Sequence, residues 1–94
     1  MARFVFALRG RPDHVLTADE ESVWHGWFEQ IGSSIADFGR VGETRLLGSG
    51  RSEVVLTSYA LVNADSLEAA VALADGCPGL RQGGGVEIGQ IVES

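Results

Sequence analysis

Two short patterns constrain this chain more than any others: Thr17-Ala18-Asp19-Glu20 and Asp65-Ser66-Leu67-Glu68. Each pairs a small oxygen-bearing residue with a glutamate three positions on, the signature of a capped helix start. The residues that follow agree. Val23, Trp24, Trp27, Phe28, Ile31 and Ile35 recur at helical spacing, which predicts a first helix from Thr17 to about Ile35, with Gly32 offering an earlier stop. The alanine-rich stretch LEAAVALAD predicts a second helix, ended by Gly76.

The segments around these helices read as strands. RFVFALR (residues 3–9) is short, aromatic and β-branched, and GRPDH breaks it. VGETRLLG (41–48) and EVVLTSYALVNA (53–64) predict the next two strands, joined by the turn SGRS at 49–52 as an antiparallel hairpin. CPGLRQGGG (77–85) is expected to be loop, its glycines a flexible hinge into a last strand, VEIGQIV (86–92). The order βαββαβ implies one α+β domain over residues 1–94. Its form is a ferredoxin-like, four-stranded antiparallel sheet with both helices on one face.

Such a sheet has an uncovered face. Alternation places Phe4, Phe6, Leu8, Val54, Leu56, Val86 and Ile88 beneath the helices. The opposite face is then expected to carry Arg3, Val5, Arg9, Glu43, Arg45, Leu47, Thr57, Tyr59, Glu87 and Ile91. That mixture is too apolar for water and too polar for an ordinary core. A chain of 94 residues also buries only roughly 60–65% of its unfolded surface. Both facts favour a homodimer through the open face, two sheets closing into a dimeric α/β barrel whose cavity holds a small organic molecule.

Charge narrows the partners. Seven basic and thirteen acidic residues leave a net charge of -6, which repels phosphate backbones and argues against nucleic acid. No apolar run is long enough to span a bilayer, and Arg9 and Arg11 interrupt the first one at once, so a soluble, cytoplasmic protein is expected. Two histidines and one cysteine form no metal-ligand spacing, and GGG is followed by no lysine-serine pair. No cofactor is therefore expected.

Several motifs together resemble the YCII-related family in its DGPF-type branch. They are RFVFALRG, the helix W..WFEQIG, GETR, SYALVNADSLEAAVALADGCP and GGGVEIGQI, in an order that covers nearly the whole chain. The DGPF tetrapeptide itself is absent, RVG standing before ETR, and Gly89-Gln90 replaces the usual arginine-proline. The resemblance implies a ferredoxin-like subunit that dimerises into an α/β barrel. It also implies, for some members, acid-base chemistry by a histidine and an aspartate near a cleft. One related member resembles a dehydrochlorinase, and others are linked to transcription regulation.

The candidate residues follow. His25 stands near the position of the family's histidine, and Asp37 follows the same helix. On a helical wheel His25 borders the apolar stripe, with Glu21 and Glu29 one turn away on either side, a setting that suits either a general acid or base or a solvated border residue in a weak ion pair. Asp37 or Glu87 is its expected partner. Arg45 offers a planar fork to a carboxylate or phenolate. Tyr59, Glu87 and Trp24 complete the candidate binding set. Trp24 and Trp27 also suit the core or an interface, Cys77 has no basic neighbour to activate it, and His14 lies in a polar turn. The leading expectation is a cofactor-free elimination, isomerisation or proton-transfer enzyme. Its rival is a non-catalytic accessory module that binds another protein.

Overall fold

The computed structural model describes residues 2–50 and 53–92. β1 (Ala2–Gly10) is followed by α1 (Ala18–Ile31), β2 (Ile35–Arg40), β3 (Val55–Ala64), α2 (Leu67–Ala74) and β4 (Gly85–Gln90), with short 3-10 turns at Gly32–Ser34 and Pro78–Arg81. The strands form one antiparallel sheet in the order β2-β3-β1-β4, the ferredoxin-like arrangement expected from the sequence.

Both helices start where their caps place them. The Thr17 hydroxyl accepts from the Glu20 amide at 3.2 Å, and the Glu20 carboxylate accepts from the Thr17 amide at 2.9 Å. That second bond, helped by His14, holds the Glu20 carboxyl below its ordinary value. At α2 the cap is Ser66 rather than Asp65: its hydroxyl accepts from the Ala69 amide at 3.1 Å.

The core lies between the helices and one sheet face. Phe4, Phe6, Leu8 and Val62 are fully buried, and Ala70 and Ala74 let α2 approach closely. Each of the four large side chains contributes roughly 1.5–3 kcal/mol by leaving water. Trp27 joins them and donates its indole N–H to the Leu73 carbonyl at 3.0 Å, so its polar tip is satisfied while α1 is tied to α2.

The second strand is displaced from its expected place. It occupies Ile35–Arg40, not residues 41–48, and α1 stops at Ile31 instead of continuing to Ile35. Glycine and two serines are poor helix formers, and they turn the chain there. Ile35 and Phe38 then supply the apolar residues that a strand at this edge can pack, Phe38 meeting Phe28 at a centroid distance of 4.8 Å. Leu46 and Leu47 find no such surface; Leu47 is 90% exposed. The link between β2 and β3 therefore spans residues 41–54, and Arg51 and Ser52 of the expected turn lie outside the described residues.

A bulge changes the face assignment on β3. Leu8 pairs with Ser58, but the next residue, Arg9, pairs with Leu56 and Gly10 with Val55. Leu56 thus shares the open face with Arg9, and Val55 shares the helix side with Gly10, the reverse of strict alternation. Thr57 is the extra residue. Its hydroxyl donates to the Leu8 carbonyl at 3.1 Å, on the helix side and not on the open face where alternation placed it.

The glycine run is not a loose hinge. Gly83 has φ of 81°, in the left-handed region, and Gly84 packs against the Arg9 carbonyl so closely that a Cβ would collide with it. The Gly84 amide donates to the Gly79 carbonyl at 2.9 Å, which fastens the loop before β4.

Candidate functional site

A cavity of about 450 Å³ opens between α1 and the β2–β3 end of the sheet. It lies on the helix side, not on the open face. Leu16, Glu21, Trp24, His25, Phe28, Phe38, Arg40, Thr57 and Ser58 line it.

Its walls follow from local structure. Glu21, Trp24, His25 and Phe28 come from adjacent turns of one side of α1. Phe38 and Arg40 alternate along β2, opposite Ala60 and Ser58 respectively. Thr57 and Ser58 are consecutive, and the bulge is what brings both to the same side. The aromatic lining is mutually packed: Trp24 stacks on Phe28 at 6.0 Å between centroids, and Phe28 meets Phe38 edge-on. The Trp24 indole N–H donates to the Gln82 side chain at 3.1 Å, and its ring lies over Gly79, which fixes that wall against the loop behind it.

The polar groups are few and available. His25 is exposed at the mouth and makes no hydrogen bond or ion pair among the described residues. Arg40 likewise has no partner among them. The Ser58 hydroxyl is unpaired among the described residues, whereas Thr57 spends its proton on Leu8 and turns only acceptor capacity inward. Apolar walls with a few convergent polar groups are the usual makeup of a small-molecule site.

The candidate residues from the sequence divide between two faces. His25 and Trp24 meet in the cavity. Asp37 and Tyr59 meet on the open face, where the tyrosine hydroxyl donates to the Asp37 carboxylate at 3.3 Å and the Phe38 amide donates to it at 2.9 Å. Tyr59 lies across Gly39, whose lack of a side chain makes room for the ring. Glu87 pairs with Arg9 at 3.8 Å on that same face, with both groups open to water. Asp37 and Glu87 are thus set on the sheet face opposite His25, not beside it. Arg45 lies in the link after β2, exposed and paired with Glu43 at 3.0 Å, with neither residue on a strand.

Arg40, Phe38 and Ser58 were not legible as site residues. Arg40 and Phe38 fall between the expected end of the first helix near Ile35 and the strand expected at 41–48. Strand-like i, i+2 spacing of Phe38 and Arg40 was the one available signal. Cys77 is buried under the 3-10 turn, and burial pushes its thiol up, away from the reactive thiolate. Among the described residues, no group of three or more histidine, cysteine or acidic side chains is placed to hold a metal ion. Nor is any helix there long and apolar enough to cross a membrane.

No protein-family model matches the chain, and no curated protein matches it. A solved structure does: the 5-chloro-2-hydroxyhydroquinone dehydrochlorinase of Burkholderia phenoliruptrix AC1100, in complex with 2,5-dihydroxybenzoquinone. The two share 14% identity with a TM-score of 0.70, over 98% of this chain and 95% of the other. At that identity the likeness is one of fold, and it extends over nearly all of both chains.

Proposed function

We propose that the protein binds a small, flat, oxygen-bearing organic molecule in the cavity under α1, and that His25 performs a cofactor-free proton transfer on it. The observation that carries this reading is the convergence in one cavity of three aromatic walls with an imidazole, a guanidinium and a hydroxyl that have no side-chain partner among the described residues. Two further points support it. The chain shares its fold with a dehydrochlorinase solved with a dihydroxyquinone bound, and its motifs resemble the YCII-related family, some of whose members use a histidine near a cleft.

In this reading the ring of the ligand lies against Trp24, Phe28 and Phe38. The His25 imidazole takes a proton from a ring hydroxyl or ring carbon; returning it at another ring position completes an isomerisation, and loss of a leaving group as its anion from the deprotonated ligand completes an elimination. Asp37, Tyr59 and Glu87 belong to a different task. We read them, with Val5, Ala7 and Leu61, as the open face through which two copies pair sheet to sheet as a homodimer.

The test uses 2,5-dihydroxybenzoquinone as the probe, with binding followed by calorimetry and exchange of its ring protons for deuterium followed by NMR. The wild-type protein should bind it and accelerate exchange. His25→Ala should fold normally, since that residue is exposed and outside the buried core, and should lose roughly 100-fold or more of the exchange rate. Binding with no acceleration would reduce the protein to a binding module. Absence of binding would sink the reading.

A further inference from the structure

The helix-covered face of the sheet is read directly from strand pairing. Leu8, fully buried, stands opposite Ser58, and Ser58 stands opposite Arg40. Directly paired residues share a face, so Arg40 points to the helix side. The neighbouring row is Phe6, Ala60 and Phe38, and β4 adds Val86, Ile88 and Gln90. Among the described residues on that face, Arg40 is the one ionisable side chain. It lines the cavity with no carboxylate paired to it among the described residues, although Glu21 lines the same space.

We propose that Arg40 is the anion anchor of this cavity, with the Ser58 hydroxyl beside it, and that the ligand is a planar aromatic or conjugated monoanion whose negative oxygen sits at that end. The inference rests on the reading of the cavity as the binding site, and it adds the charge and the orientation of what binds. Three points carry it. A guanidinium presents two parallel donors in a plane, which suits a carboxylate or a delocalised phenolate. Ser58 lies directly across the strand pair and supplies a further donor. The aromatic walls fix the rest of the molecule as flat and apolar. Glu21 bears the opposite charge on the helix wall, so it disfavours an anion in the same space and raises the selectivity demanded of Arg40.

The experiment compares para-nitrobenzoate with its neutral isostere para-nitrobenzamide by calorimetry, in the wild-type protein, Arg40→Gln and Glu21→Gln. The wild type should bind the benzoate about tenfold more tightly than the amide, the increment of one charge-assisted contact at a partly wet site. Arg40→Gln should remove that preference while amide affinity stays within about twofold. Glu21→Gln should tighten the benzoate by a few-fold and leave the amide unchanged, a gain that misfolding does not produce. Equal binding of both compounds to the wild type, or a preference that survives Arg40→Gln, overturns the anchor and leaves the cavity reading standing. Failure of both compounds to bind overturns the two together.

Discussion

Gly84→Ala is a stringent test of how the site is held. A Cβ at position 84 would collide with the Arg9 carbonyl and approach the Gly79 carbonyl at 3.2 Å. Both obstacles are backbone, so neither can swing aside as a side chain would. The carbonyl must retreat by on the order of 1 Å, an overpacking that costs roughly 1–3 kcal/mol. Arg9 also pairs with Gly85 at the end of the β1–β4 ladder, and weakening that pairing adds about 1 kcal/mol. The sum, about 2–4 kcal/mol, is a large share of the roughly 5–14 kcal/mol expected for a domain of this size. With a urea m-value near 1 kcal/mol/M, the midpoint should fall by roughly 2–4 M. The damage should also reach the cavity, because Gly84 bonds to Gly79 and Gly79 supports the Trp24 ring; near-UV circular dichroism should change. The neighbouring Gly85→Ala is the control. A Cβ there meets nothing within 4 Å, and it should shift stability by less than about 0.5 kcal/mol. A Gly84→Ala protein as stable as the Gly85→Ala control would refute the close approach.

Two other outcomes are open to direct measurement. Leu61 lies between Val5 and Asp37 on the open face, so under the proposed sheet-to-sheet pairing the wild type should dimerise in sedimentation equilibrium, and Leu61→Lys should weaken that association by at least roughly 100-fold. A dimer of undiminished affinity would remove that face from the interface. Cys77 is buried with its thiol pushed up, so at pH 8 it should react with a disulfide reagent at least ~100-fold more slowly in native protein than in urea. Comparable rates would contradict its burial.

Much of the architecture was legible because it rests on local chemistry. The Thr17–Glu20 box fixed the start of α1, and the alternation of Phe4, Phe6 and Leu8 identified the buried side of β1. The position of β2 was not legible. Ile35–Arg40 contains an aspartate and a glycine, residues poor in strands, and it becomes a strand because Ile35 and Phe38 can pack against the core and Phe28. Residues 41–48 have better strand composition and no surface to cover. That displacement moved the anion-binding candidate from Arg45, exposed and paired with Glu43, to Arg40, which faces the cavity. The bulge at Thr57 was equally hidden. A bulge is set by pairing between strands, and one extra residue is enough to bring Thr57 and Ser58 to the same side. His25 lines the cavity from the border of the apolar stripe, where the helical wheel set it, but Asp37 and Glu87, its expected partners, lie across the sheet from it.

The central claim is that the ligand enters under α1 and not between two open sheet faces. Backbone and indole NMR signals recorded during titration with para-nitrobenzoate separate these directly. If the cavity is the site, the largest shifts should fall on Trp24, His25, Phe38, Arg40, Thr57 and Ser58, with Val5, Asp37, Tyr59 and Glu87 nearly unmoved. The reverse pattern, with the largest shifts on Val5, Asp37, Tyr59 and Glu87, would place the ligand on the open face and contradict the assignment of His25 and Arg40.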